Sequence, residues 1–154
     1  MASIRAQIVD AIYTAVNGAS KPVGVTVHRS KTAPFAKAEL PAIVVYRVVE
    51  ELVDPAKLST YVARRAMTVR CECRVSSASD GETLEDALDP LTSWAVTAVK
   101  GITSLQGGRN ALADSCVEIG TTWAVADEDA VYGAAGVDFR VEYLTAAGNP
   151  DAAP

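Results

Sequence analysis

The chain has 154 residues, 49% of them hydrophobic and 21% charged, with a formal net charge of −5. That length suits one domain with a sizeable core. The acidic balance argues against a dedicated nucleic-acid binder, which needs a clustered excess of Lys and Arg, although DNA can still pass such a protein. No apolar run reaches the roughly 18 residues needed to span a bilayer.

The opening segment, MASIRAQIVDAIYTAV, places Arg5 and Asp10 inside its apolar pattern, unlike a secretory signal. A cytosolic setting without membrane contact is therefore expected. The odd count of three cysteines fits thiols that stay reduced.

Ile4, Ile8, Ile12 and Val16 recur every four residues, which predicts an amphipathic helix over 4–17 with Ser3 as N-cap and Asn17-Gly18 as the stop. Pro22 and Gly24 mark a turn, and Val23, Val25 and Val27 predict a short strand over 23–28. A loop over 29–41 carries Pro34 and Pro41. It leads into AIVVYRVV at 42–49, a β-branched run expected to be a buried strand. The polar segment 50–66 reads as a second long loop. Met67, Val69, Cys71, Cys73 and Val75 then alternate with polar residues, the clearest strand signal in the chain.

Ser76 to Gly81 is rich in turn residues. Leu84, Leu88, Leu91, Ala95 and Val99 form a second helical stripe, and Pro90 predicts a kink or two abutting helices with Asp89 capping the second. Cys116, Glu118 and 121–125 predict a fourth strand, bulged at Gly120. Val137, Phe139, Val141 and Tyr143 predict a last strand. Residues 147–154 read as a flexible tail on a single domain over 1–146. The expected fold class is α+β: a mainly antiparallel sheet of four to five strands with two helices on one face.

Every candidate for chemistry has a plainer explanation. His28 is the only histidine, at a strand end. Cys71 and Cys73 fall on one apolar strand face, where reduced cysteine acts as a small hydrophobe, and zinc would need two further ligands. Glu82, Glu85, Asp86 and Asp89 crowd a helix start, where they complement its dipole. Asp127, Glu128 and Asp129 lack the glycine-centred spacing of a calcium loop. Gly107-Gly108-Arg109 lacks the Lys-Ser/Thr ending of a phosphate loop. No enzyme activity, cofactor or metal is expected. The two long loops carry Arg and aromatic residues typical of protein contacts instead. These are Arg29, Lys31, Phe35 and Lys37 on the first, and Leu52, Leu58, Tyr61, Arg64 and Arg65 on the second.

IRAQIVDAIYTAV, VHRSKTAPF, LPAIVVYRVVEE, RRAMTVRCECRV, a Leu-rich helix and FRVEYLTAAGNP follow one another in an order that resembles the tail terminator proteins of long-tailed bacteriophages. The resemblance spans residues 4 to about 149, with Pro90 and the cysteine pair as departures from the pattern. It implies a virion protein at the head-proximal end of the tail. There it would form a homo-hexameric ring on the last ring of tail tube protein, stop tube polymerisation and present a surface to the head-completion or connector protein. A heterologous ring interface would then use the two loops, with Arg29 and Lys31 meeting acidic groups of a neighbour. DNA passes the lumen of such a ring without specific binding. Glu50, Glu51, Asp54, Asp127, Glu128 and Asp129 are the acidic residues that would repel its phosphates. A neck or head-completion protein, or a small ligand-binding or enzymatic α+β domain, are the alternatives.

Overall fold

A computed structural model describes residues 2–31, 35–54, 61–76, 82–125 and 132–154. The first helix, α1, spans Ile4–Val16. The Ser3 hydroxyl accepts a hydrogen bond from the Ala6 amide, satisfying one orphan donor of the first turn. Its stripe of Ile4, Ile8, Ile12 and Val16 is buried, as the four-residue spacing predicts.

Strands β1 (Thr26–Arg29), β2 (Ala42–Leu52) and β3 (Val62–Val75) follow, then helix α2 (Leu84–Lys100) and strands β4 (Ser115–Val125) and β5 (Gly133–Ala146). They form one five-stranded sheet in the order β1-β2-β3-β5-β4. Only β1 and β2 run parallel; the other three pairings are antiparallel. The fold is α+β, as expected. Alternate residues of the central strands, among them Val45, Met67, Cys71, Val137 and Phe139, join Ile8, Ile12, Leu88 and Ala95 of the helices in one core. Among the described residues, neither α-helix packs on the opposite sheet face. An antiparallel sheet tolerates this when that face is polar.

Trp94 ties the two helices together. Its indole Nε1 donates to the Val16 carbonyl at 2.8 Å, satisfying one of the acceptors left over at the end of α1.

Four expectations need correction. β1 begins at Thr26, not Val23; Gly24 sits at φ +79° and Val23 is wholly exposed, so the Pro22–Gly24 turn consumes the first half of the predicted strand. Both ends of the expected loop over 50–66, residues 50–52 and 62–66, are strand, since Glu50 pairs with Met67, Glu51 with Ala66 and Leu52 with Arg65. The last strand is also longer than the alternation at 137–143 suggests, because Gly133, Ala134, Ala135 and Gly136 pair with β3 and β4 without large side chains to announce it. Helix α2 is one continuous element through Pro90. It starts with a capping box in which Thr83 and Asp86 bond each other's backbone amides, so Asp89 caps nothing. Asp86 and Pro90 share the exposed side of the helix, so the carbonyl that Pro90 cannot bond is left on the solvent side. Pro90→Ala restores that bond, and its urea midpoint should rise to reflect about 1–3 kcal/mol of added stability. An unchanged midpoint would mean that the helix has already adapted to the proline.

The final residues turn back onto the fold. The Ile4 amide donates to the Asp151 carbonyl, and Ala147 donates to Tyr61 at 2.9 Å.

Candidate functional site

The side chains with the most developed polar geometry lie on the open sheet face. Arg70 of β3 donates twice to the carboxylate of Asp138 on β5, at 2.7 and 2.8 Å, the planar fork matching the carboxylate. These bonds raise the Arg70 guanidinium above its already high ordinary value, against a smaller opposing effect of burial. Tyr46 of β2 donates to Glu72 at 2.6 Å, and Arg74 donates to the other Glu72 oxygen. Arg140 joins Glu51 and Glu142. The face is thus a ladder of alternating charges running across β2, β3 and β5.

Gly136 makes the central pair possible. A Cβ there would lie 2.8 Å from Arg70 Cδ and 2.9 Å from its Nε, so the guanidinium crosses the β5 backbone only because the position is glycine. Gly136→Ala should displace Arg70 from Asp138 and lower stability by about 1 kcal/mol. A crystal structure or urea titration of that variant with the pair and the midpoint intact would refute this role for Gly136.

A second polar cluster lies on the helix side, at the end of the sheet where α1 begins. Glu50 accepts from Arg5 at 2.7 Å and from Arg65 at 2.8 Å. Arg65 also donates to the buried Thr145 hydroxyl. Burial pushes the Glu50 carboxyl up, but the bonds from Arg5 and Arg65 outweigh it and hold the group below its ordinary value. The buried Tyr143 hydroxyl sits beside these charges without a hydrogen bond of normal geometry. Burial and the Glu50 charge push it up to about 12.

The loop after β1 is pinned to the open face. The Lys31 ammonium lies 4.3 Å from the centre of the Phe35 ring, and the Arg74 guanidinium lies 5.1 Å from it. His28 meets the same ring edge-on at 5.2 Å. Lys31 also pairs with Glu39; that bond, with another from the Ala36 amide, lowers the Glu39 carboxyl.

The structure therefore redistributes the residues singled out in the sequence. Arg29 pairs with Asp10 of α1, and Lys31 with Glu39, both within the chain. Arg65 and Glu50 are strand residues joined to each other, so Glu50 is not a free acidic group for a lumen wall. Glu51 and Asp54 are exposed, as are Leu52, Tyr61 and Arg64, and Arg64 lies 3.8 Å from Asp114. Leu58, Asp127, Glu128 and Asp129 lie outside the described residues, as does the side chain of Lys37.

The fourth strand, expected from Cys116, Glu118 and 121–125, is β4, but its exposed apolar residues were not among the candidate contacts. Among the described residues this strand pairs only with β5 and forms one edge of the sheet. Val117, Ile119 and Trp123 project from it 57%, 54% and 43% exposed, Val117 on the open face and Trp123 on the helix face, large apolar groups that folding leaves in water. Its register shifts between Glu118 and Gly120, as the glycine suggested. Beside it, a groove of about 490 Å³ runs between α2 and β4, lined by Val96, Val99, Gln106, Cys116 and Phe139. The signal in the sequence was CVEIGTTW, whose apolar residues exceed what one buried strand face can absorb.

The three cysteines are buried and unlinked. Burial raises all three thiols, Cys73 to about 12 and Cys116 to about 11, so they stay protonated and poorly nucleophilic. Among the described residues no group of three or more His, Cys, Asp or Glu is placed to hold a metal ion, and no helix is long and apolar enough to cross a membrane. Set against models of known protein families and against curated proteins, the chain matches none.

Proposed function

We propose that this chain is a structural protein of a long-tailed bacteriophage. In this reading it forms a six-membered ring that caps the tail tube, ends tube polymerisation and offers a docking surface to the head connector. The observation that carries the reading is a sheet whose polar face is covered, among the described residues, only near β1 by the Phe35 loop, and whose β4 edge is apolar, surfaces a ring subunit needs for neighbours on several sides. Three of the stretches that resemble tail terminators also lie together on that sheet. VHRSK runs from β1 into the loop held by Phe35, LPAIVVY enters β2, and FRVEY lies in β5. The ring's lumen would pass DNA, with Asp54 among its exposed acidic groups and Glu51 exposed but paired with Arg140.

The test is the length of tail tubes grown from tube protein with and without this chain, together with its mass by light scattering. Shortened, capped tubes and a six-subunit mass on the tube support the reading. Tubes of unchanged length would turn attention to a neck protein or a ligand-binding domain.

A further inference from the structure

We infer that copies of this chain join edge to edge, with β4 of one copy adding in antiparallel fashion to β1 of the next so that the sheets run on from subunit to subunit. This deepens the ring reading and takes from it only the head-to-tail joining of copies.

Strand direction permits the junction. β1 and β2 run parallel, and each further pairing across β3, β5 and β4 reverses direction, so the two edge strands point opposite ways. A neighbour generated by rotation about an axis along the strands keeps its own strand directions. It therefore presents β1 antiparallel to β4, the pairing that edge strands adopt readily.

Charge selects β1 as the occupant. The segment from Lys21 to Lys31 holds Lys21, Arg29 and Lys31 with His28, and no acidic residue. The segment from Asp114 to Val125 holds Asp114 and Glu118, and no basic residue. A two-fold β4–β4 junction would set acidic edge against acidic edge, which like charges on facing strands disfavour.

The faces also agree. Arg29 stands opposite Val45, and Glu118 opposite Phe139, and both of those partners point into the core on the helix side. In a continued sheet Arg29 and Glu118 would lie on the same face, within reach of each other. The pair Arg29 makes with Asp10 is exposed on both sides and so weak in water, and a guanidinium can hold two carboxylates. Followed across the sheet, the register sets Arg29 level with Thr121 and Val27 level with Trp123, so the junction would cover the exposed Trp123 and complete an edge that is unpaired among the described residues.

The experiment puts Arg29→Cys and Glu118→Cys into one chain and oxidises it mildly, alone and with polymerised tube protein. The native thiols are buried and each single variant serves as a control. A disulfide ladder that climbs past the dimer, absent from both single variants, is the expected result. Dimers formed by Glu118→Cys alone would mean a two-fold β4 junction and overturn the inference, as would assembly without cross-links. In the same assay Glu118→Arg and Arg29→Glu should each weaken assembly at least tenfold, and the doubly reversed chain should recover it. Capped tubes without a ladder would sink this junction and leave the terminator reading standing. A ladder with tubes of unchanged length would do the reverse, and a chain that stays monomeric under every condition would end both.

Discussion

Glu50→Ala should lower the unfolding free energy by about 2–3 kcal/mol, because it leaves two guanidinium groups without their shared anion. The figure sits below that for a fully buried pair because the Glu50 side chain keeps 19% of its exposure. Urea titration at neutral pH reads it directly. The pH dependence gives an independent check. The folded-state Glu50 carboxyl lies below its unfolded value of 4.5, so its contribution is complete above that pH and is lost as pH falls through the folded value. Wild-type protein should therefore weaken below about pH 4.5, and Glu50→Gln should show a shallower acid limb. Glu39 and Asp86, both also lowered, act in the same direction from the surface. Identical acid limbs in wild type and Glu50→Gln would show that the cluster contributes nothing in solution.

Leu88→Ala should have the larger effect. Leu88 is fully buried and seats its Cδ1 3.4 Å from where a Cβ on Gly133 would lie, so α2 meets β5 with no slack to close a gap. The loss should fall near 3–4 kcal/mol, a large part of the roughly 5–15 kcal/mol that holds a domain of this kind. Leu88→Met keeps the volume and should lose less than about 1.5 kcal/mol. A Leu88→Ala midpoint close to wild type would mean that the helix can settle onto the sheet.

The elements with a dominant period were legible in the sequence. α1 and the centre of β3 declare themselves because one residue in four, or one in two, is apolar and the core has room for all of them. The ends of β2 and β3 stayed hidden because Glu50 and Arg65 occupy positions that face the helices. Polar residues at inward positions read as a loop until their partner is known, and Arg5, which joins them, lies 45 residues from Glu50 along the chain. The Arg70–Asp138 pair spans 68 residues and was illegible for the same reason. Pro90 misled in the other direction. Local chemistry predicted a break, but Leu88, Leu91 and Ala95 on the buried side hold the helix through it.

The candidate surface was less legible than the fold. Charged and aromatic loop residues attracted attention, yet Arg29, Lys31 and Phe35 are largely engaged within the chain. The exposed apolar residues of β4 were concealed because Val117 and Ile119 look like core residues on any count that does not know the strand is an edge. Sheet order, which decides that, is set by contacts between distant segments and leaves no local mark.

The two tryptophans stand in contrasting places: Trp94 bonded to the end of α1, and Trp123 exposed on the β4 edge. That separation divides the protein's intrinsic fluorescence into two independent signals. Loss of helix docking changes the emission of Trp94, whereas covering the edge shifts Trp123 to the blue and shields it from a soluble quencher. With Trp123→Phe the remaining emission follows unfolding alone, and with Trp94→Phe it follows association, so the two processes can be timed separately in one cuvette without an attached dye.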